Sequence, residues 1–261
     1  MRQARRPRPQ IARFAMIGSL MALLCASAHA DLVIPPGASQ SLGGGSQNLA
    51  CTDLIVGGTL DLAGGTLAGV RNVTVQAGGT LILGSGAITL VGNWGNAGTV
   101  NAGTGSVSFV DDVACAVPVT TAVVSGNTSF YTLSIASSSG KLYQFSVGSA
   151  QSVQSALTLS GTGAPLRIES TTPGTPSADI SLAAAGSQAL SNLAVRGMSA
   201  SGQWLAPGQT NQAAGGAVSR WFGIPTVGGT TPVPTLSQFS LAGLALVLAA
   251  LAAWRRKPHG I

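Results

Sequence analysis

The hydrophobic positions of this chain alternate with polar ones over very short distances. Between Leu54 and Phe109 the sequence consists of apolar–polar–apolar triplets separated by Gly-rich turns. Alternation over a few residues predicts strands, and Gly-Gly pairs predict the tight turns between them. Between Asp31 and Pro232 no stretch shows a 3.6-residue apolar period bounded by helix caps. Helices are therefore not expected in this part of the chain.

The triplets repeat with a period close to twenty residues. Equivalent apolar positions lie nineteen or twenty-one residues apart in six pairs: Val56 and Val75, Leu60 and Leu81, Leu62 and Leu83, Leu67 and Ile88, Leu81 and Val100, and Leu90 and Phe109. Such a period fits one coil of a parallel β-helix, in which each turn stacks its inward residues on the turn before. The sequence predicts an all-β fold, a parallel β-helix (solenoid) over residues 31–222. A β-sandwich of similar strands is the alternative.

The second half of this body keeps the triplets but loses the regular spacing. They lie at Leu133–Ile135, Phe145–Val147, Leu157–Leu159, Leu166–Ile168 and Ile180–Leu182. In composition this part resembles the adhesin-like repeats of large secreted bacterial β-solenoids. The resemblance implies a structural or adhesive role, for which surface glycans are one class of partner, and it assigns no binding residue.

The composition suits a solenoid, whose narrow core accepts aliphatic and small side chains. Aromatic residues make up only 5% of the chain and charged residues 8%. The 36 glycines can supply corners with positive φ at little steric cost. Frequent Gly and Thr also disfavour helices.

The N-terminus has the pattern of a secretory signal peptide. Five arginines within the first thirteen positions precede an apolar stretch from Phe14 to Ser27, and Ala28 and Ala30 supply small residues at −3 and −1. The pattern predicts a signal helix within residues 1–30, handled by the Sec machinery and cut by signal peptidase after Ala30. The apolar run is shorter than the ~20 residues that span a bilayer, which disfavours a permanent anchor.

Two cysteines, Cys51 and Cys115, remain after that cut. An exported chain matures in an oxidising compartment, where such a pair can form a disulfide. The alternative is that each is buried separately as a small hydrophobic residue.

The C-terminus has the pattern of a membrane anchor. Residues 223–232 form a linker rich in Gly, Pro and Thr, and an uncharged apolar stretch ends at Trp254. A helix over 236–254 is long enough to approach the ~30 Å of a hydrocarbon core. The basic stop Arg255, Arg256 and Lys257 places the C-terminus in the cytoplasm. We therefore expect an inner-membrane anchor with the body outside that membrane.

A short box precedes this helix: Val233, Pro234, Thr235, Leu236 and Ser237. The box, the apolar helix and the basic end, in this order over residues 233–257, resemble the IPTL-CTERM sorting signal of Gram-negative bacteria, with Val233 in place of the usual Ile. The resemblance implies an exosortase-like membrane protease as partner, cleavage near the box and transfer of the body to the cell envelope or surface. The alternative is a single-pass anchor that is never processed.

The net charge of +6 comes from the two ends of the chain. Residues 31–232 contain five basic and seven acidic residues, which gives −2. This body lacks the cation cluster that nucleic-acid binding needs. It also contains no histidine, which excludes Ser-His-Asp and Cys-His catalysis and histidine-ligated metals. No cofactor or metal is expected.

The remaining candidates for chemistry favour structural roles. Asp111-Asp112 is predicted to form a turn rather than a calcium site, and Arg167 with Glu169 a surface ion pair. Scattered aromatics such as Trp204 and Trp221 are expected to pack or to cap the solenoid. We therefore expect an exported structural or adhesin-like protein that is not an enzyme. A carbohydrate-binding or polysaccharide-lyase-like module is the alternative.

Overall fold

The body is a parallel β-solenoid of about eight turns. The computed structural model describes residues 30–111, 115 and 118–223. All strand pairs among these residues are parallel. The β-helix prediction is confirmed and the β-sandwich alternative is wrong, because a sandwich of consecutive short strands would pair them antiparallel.

Twenty strands form from the described residues. They are β1 Leu32–Ile34, β2 Ser39–Ser41, β3 Ser46–Val56, β4 Thr59–Asp61, β5 Thr66–Val75, β6 Thr80–Ile82, β7 Ala87–Leu90, β8 Trp94–Asn96, β9 Thr99–Asn101, β10 Ser106–Phe109, β11 Thr121–Ser125, β12 Thr128–Ser137, β13 Leu142–Phe145, β14 Ala150–Gly161, β15 Leu166–Ser170, β16 Ala178–Leu182, β17 Ser187–Ser191, β18 Leu193–Arg196, β19 Met198–Ser199 and β20 Val218–Ser219.

Each turn contributes strands to three faces. The first face stacks β1, the end of β3, the end of β5, β8, β11, β13, β15 and β18. The second begins with the sheet β2–β4–β6–β9 and continues in the starts of β12 and β14, then β16, β19 and β20. The third stacks the starts of β3 and β5, β7, β10, the ends of β12 and β14, and β17. Long strands such as β12 bend from one face to the next, where the register shifts.

The register confirms the period read from the sequence. Val56 lies beside Val75, Leu60 beside Leu81 and Leu81 beside Val100. Leu67 pairs with Ile88 and Leu90 with Phe109 in the same way. In these five pairs an apolar residue of one turn therefore rests on its equivalent in the next.

The core runs along the inside of these stacked turns. Strand residues alternate between buried and more exposed positions, as in β10 and β12. The inward column Leu60, Leu81 is fully buried. Burial of such side chains contributes about 1.5–3 kcal/mol each. The larger rings occupy the middle turns, where the ring centroids of Trp94 and Phe130 lie 5.3 Å apart.

Four of the five predicted strand triplets in the second half lie in strands. The exception is Phe145–Val147, because β13 ends at Phe145. Val147 is 56% exposed and precedes Gly148, whose φ is +76°. The chain turns here, so the apolar Val147 belongs to a corner rather than to a strand.

A ladder of Asp and Asn side chains lines one corner of the first turns. Asp31 Oδ1 accepts the backbone N–H of Asp53 at 2.9 Å, and Asn72 Oδ1 accepts that of Asn93 at 2.8 Å. Asn72 Nδ2 donates to Asp53 Oδ1, and Asn93 Oδ1 accepts from Val123 N–H. These side chains tie each turn to the next at the entry to the first face. The ladder was not predicted, although its first four members follow one another at about the period of the apolar triplets.

The predicted terminal segments lie almost entirely outside the described residues. The signal peptide of residues 1–30 is described only at Ala30, and the linker of 223–232 only at Gly223. The predicted transmembrane helix of 236–254 also lies outside. Within the described ranges, no helix is long and apolar enough to cross a membrane. The chain divides into two units, Met1–Ile224 and Pro225–Ile261, and every described residue belongs to the first.

Candidate functional site

The two predicted disulfide cysteines lie together. Cys51 and Cys115 form a disulfide with their Cα atoms 5.5 Å apart. Cys51 lies in the irregular middle of β3, with φ of +67°, and Cys115 lies between β10 and β11. The bond therefore ties the first turns to the segment that joins the two halves of the solenoid.

The other predicted site residues belong to sorting and processing. Ala30 is exposed and outside any strand, whereas Ala28 lies outside the described residues. The sorting box, Val233, Pro234, Thr235, Leu236 and Ser237, and the basic stop, Arg255, Arg256 and Lys257, lie outside them as well. Their roles remain predictions.

Next to the disulfide, Asp111 organises a polar loop. It lies two residues after the end of β10, and its Oδ2 accepts hydrogen bonds from Ser137 Oγ (2.8 Å), Ser138 N (2.9 Å), Ser139 N (3.0 Å) and Ser139 Oγ (2.8 Å). Burial raises the pKa of Asp111, but these hydrogen bonds outweigh burial and hold the pKa below its usual value. The other oxygen, Oδ1, is buried and has no hydrogen-bond partner among the described residues.

Lys141 ends this loop and is 3% exposed, which is unusual for a lysine. Its Nζ donates to the backbone carbonyl of Val91 and lies 5.2 Å from the centroid of the Tyr143 ring. Burial lowers the pKa of Lys141 to about 8, and the negative charge of Asp111 opposes that change. Burial raises the pKa of the Tyr143 phenol, whose oxygen has no partner within the described part of the chain.

Two neighbouring cavities open beside this loop. The first, of about 430 Å³, is lined by Asp111, Lys141 and Arg167 among others. The second, of about 410 Å³, also borders Arg167 and extends to Glu169 and Arg196. We call these five side chains and the two cavities they line the charged groove.

Strand stacking brings the three cations of the charged groove onto successive turns. Lys141 precedes β13, Arg167 lies in β15 and Arg196 in β18, and these strands are neighbours on the first face. The backbone N–H of Arg167 donates to the carbonyl of Lys141 at 3.3 Å, and Glu169 lies beside Arg196 in the register. The three cations therefore lie on or next to neighbouring strands of one face, but not at equivalent positions, since Arg167 lies beside Leu142 and Ala194.

The charges of the groove are only partly paired. Arg167 Nη2 lies 3.2 Å from Glu169 Oε1, as the predicted ion pair requires, but Glu169 is 9% exposed and therefore buried rather than on the surface. Arg196 Nε is buried without a hydrogen-bond partner in the described ranges. Three cations face two carboxylates, a net charge of +1.

The charged groove was not predicted because its cations are spaced more widely than the repeat of the first half. Lys141, Arg167 and Arg196 follow one another at more than the twenty-residue period, so they looked scattered. They also do not occupy equivalent positions of successive turns, since the register partners are Leu142 with Arg167, Arg167 with Ala194 and Glu169 with Arg196.

Among the described residues, no group of three His, Cys, Asp or Glu side chains could hold a metal ion. The aromatic residues considered for sugar stacking lie mainly inside: Trp94, Tyr143 and Trp221 are at most 3% exposed. Trp204 is half-buried, and the Arg220 guanidinium lies 6.0 Å from its ring. The described aromatic side chains thus serve packing more than ligand stacking.

Comparison with known families gives one match, to the IPTL-CTERM motif, over residues 231–258. The match covers the segment in which the sorting signal was predicted, so the recognition of that motif is confirmed. The motif implies processing by an exosortase-like sorting system and delivery to the cell surface. Comparisons with curated proteins and with solved structures give no match.

Proposed function

We propose that the protein is exported and held in the inner membrane by its C-terminal helix. A sorting protease then releases the body to the envelope or surface, where it serves as a structural, adhesin-like scaffold without catalytic activity. The observation that carries this proposal is the IPTL-CTERM match at residues 231–258. The signal peptide predicted at the other end supports it, because the two segments together direct the body across the membrane.

The form of the body supports the scaffold role. Parallel turns stacked on a continuous apolar core make a rod that presents long lateral surfaces rather than one enclosed pocket. The disulfide adds a covalent tie suited to an oxidising compartment. Both properties favour a durable extracellular element.

The sorting step is tested in cells of the native organism. Replacing Val233–Ser237 by alanine is expected to leave a longer, membrane-retained protein, whereas the wild-type body is shorter and sensitive to protease added outside the cell. The matched control replaces five linker residues, 226–230, and should behave as wild type. If the box variant has the size and location of the wild type, the sorting role is wrong.

Two further measurements test the ends. The mature N-terminus, read by mass spectrometry, is expected at Asp31, and replacing Ala28 and Ala30 by Asp should block the cut. Replacing Arg255, Arg256 and Lys257 by Gln should let the tail slip through the membrane and lower retention. Retention at the wild-type level would argue against the basic stop.

The charged groove favours a second candidate function, binding of a carbohydrate. We favour binding over cleavage because the Lys141 ammonium, the obvious base, is buried and donates to the Val91 carbonyl. A lyase assay on acidic polysaccharides should therefore show no turnover. Turnover that is lost in Lys141→Met would make the protein an enzyme and refute this part of the proposal.

A further inference from the structure

The charged groove concentrates the cations of a body that has few. Residues 31–232 contain five basic residues, and three of them, Lys141, Arg167 and Arg196, border the two cavities. The comparable cation on the first turns, Arg71, pairs with Asp53 at 2.8 Å in an ordinary surface ion pair. The three cations around these cavities therefore mark one side of the second half as different.

Two polar atoms of the groove lack partners although they are buried. Asp111 Oδ1 is an acceptor and Arg196 Nε is a donor, and neither has a hydrogen bond to the described residues. Such groups are rare in native proteins, because each forfeits its bond to water on burial. Asp111 borders the first cavity and Arg196 the second, so a molecule bound across both cavities would satisfy both atoms after small shifts of these side chains.

The four hydrogen bonds to Asp111 show that this arrangement is built. All four reach Oδ2 and come from Ser137, Ser138 and Ser139, so the carboxylate is fixed in orientation. Ser137 Oγ also accepts the backbone N–H of Lys141. The loop thereby places Asp111 and Lys141 in the lining of the same cavity.

We propose that the charged groove binds an acidic saccharide, a sugar chain that carries carboxylate or sulfate groups beside free hydroxyls. The anionic groups would lie along Arg167 and Arg196, and a hydroxyl would donate to Asp111 Oδ1. A ligand with anionic groups alone fits less well, because Asp111 and Glu169 repel it and receive no hydrogen bond. Sugar hydroxyls donate as well as accept, and so match both kinds of group.

This inference deepens the adhesin-like role and rests on it only for the surface location. Binding can be measured on purified protein, whereas sorting is measured in cells, so either proposal can fail alone. The groove lies at residues 111–196 and the sorting motif at 231–258. A sorting variant should keep its affinity for the sugar.

The test titrates the full chain, purified in detergent, with four probes at one salt concentration. The probes are a uronic acid trisaccharide, a sulfated trisaccharide, the matched neutral trisaccharide and a short polyphosphate. Titration calorimetry is expected to show binding of one or both acidic sugars and at least about tenfold weaker binding of the neutral sugar and the polyphosphate.

Matched variants place that binding on the groove. Arg167→Gln and, separately, Arg196→Gln should each weaken it about tenfold. Arg71→Gln is the control: its side chain is 48% exposed and ion-paired, as is that of Arg167, but it lies outside the groove. Equal melting temperatures of the Arg167 and Arg71 variants would show that the loss is not unfolding.

Each other outcome overturns the proposal. Equal binding of the neutral sugar would show that the cations do not contribute to binding. Equal binding of polyphosphate would show that the groove attracts anions in general. Equal weakening by Arg71→Gln would place the site elsewhere, and so would wild-type affinity in both groove variants. No binding of either acidic sugar would leave the charged groove as a structural ion cluster.

Discussion

The two halves of the solenoid share one fold and differ in regularity. In the first region, residues 32–109, register partners such as Leu32 with Leu54 and Val56 with Val75 all lie close to one period apart. In the second region, residues 118–223, the spacing ranges from one such period, Met198 with Val218, to a much longer turn, Leu157 with Gln188. Parallel stacking requires only that the inward strand residues of successive turns align, so the corners between strands can differ in length.

The less regular second region also buries more polar groups. Eight polar or charged residues are buried in the described part of the chain, and Thr52 alone belongs to the first region. The other seven lie at 128 and beyond, among them Lys141 and Glu169 of the charged groove. The comparison teaches that regular turns supply the scaffold and that candidate chemistry lies where the period breaks.

The disulfide ties the first region to the segment that leads into the second, and its removal is the largest change we expect. The bond joins cysteines with a sequence separation of 64, for which loop entropy suggests a contribution of about 4 kcal/mol. The double variant Cys51→Ser, Cys115→Ser should lose about that much unfolding free energy in urea titrations. Reduced wild type is the control and should match it. A loss below about 1 kcal/mol would mean that stacking alone joins the two regions.

Equivalent core positions should respond differently in the two regions. Leu81 stacks between Leu60 and Val100 at zero exposure, so Leu81→Ala should lower the unfolding free energy by about 3 kcal/mol. In the second region Gln151 is equally buried, donates to the Gly126 carbonyl and leaves Oε1 without a described partner. Gln151→Leu should therefore change stability by less than about 1 kcal/mol. Similar losses in both variants would contradict the contrast drawn here.

Two glycines with nearly equal φ angles occupy corners of different kinds, one tightly packed and one open to solvent. Gly126 and Gly148 have φ of +75° and +76°, but a Cβ on Gly126 would collide with the Asn96 carbonyl, whereas Gly148 has open space. Gly148→Ala should cost about 1 kcal/mol of backbone strain. Gly126→Ala should cost about 2–3 kcal/mol, since the neighbouring turn must also shift. Thermal unfolding measures the loss of stability in both variants. Equal losses would mean that the neighbouring turn does not resist the Cβ added at Gly126.

The buried lysine predicts a pH dependence confined to the second region. The pKa of Lys141 is lowered to about 8 from 10.5. Between pH 8 and 10.5 the unfolded chain therefore holds a proton on Lys141 that the folded chain has lost, so the free energy of unfolding rises with pH in this range. The pKa of Tyr143 is raised from 10.0, so stability falls again above pH 10. We expect a rise of about 1 kcal/mol from pH 8 to 10, reduced by the open cavity beside Lys141. Lys141→Met should abolish this rise in urea titrations; a rise retained there would assign it to another group.

Much of the fold could be predicted because its signal is local and repeated. Alternating triplets and a period of about twenty residues predicted the parallel turns, and five of the six matched pairs are register partners in the structure. The triplet Phe145–Val147 was misassigned because a corner can carry an apolar residue when Gly148 turns the chain. The ladder through Asp53 and Asn72 was missed because its signal is one polar residue in each turn.

The candidate groove could not be predicted from the same pattern. Arg196 lies beside Glu169, on the strand next to that of Arg167, only because a turn longer than the first-half period places β15 and β18 side by side. The burial of Lys141 depends on a loop that Asp111 holds from the preceding turn. Neither residue type nor spacing signals that contact in the linear chain.

The sequence by itself determined the strand-forming body, its repeat and the sorting motif, since a period and a short linear signal are properties of neighbouring residues. The tertiary structure alone decided which side chains meet: the cations of the groove, the buried Glu169 and the unpartnered oxygen of Asp111, for which the described residues supply no donor. The reason is physical. Stacking places residues together according to the length of each turn, and that length is set by how the corners pack.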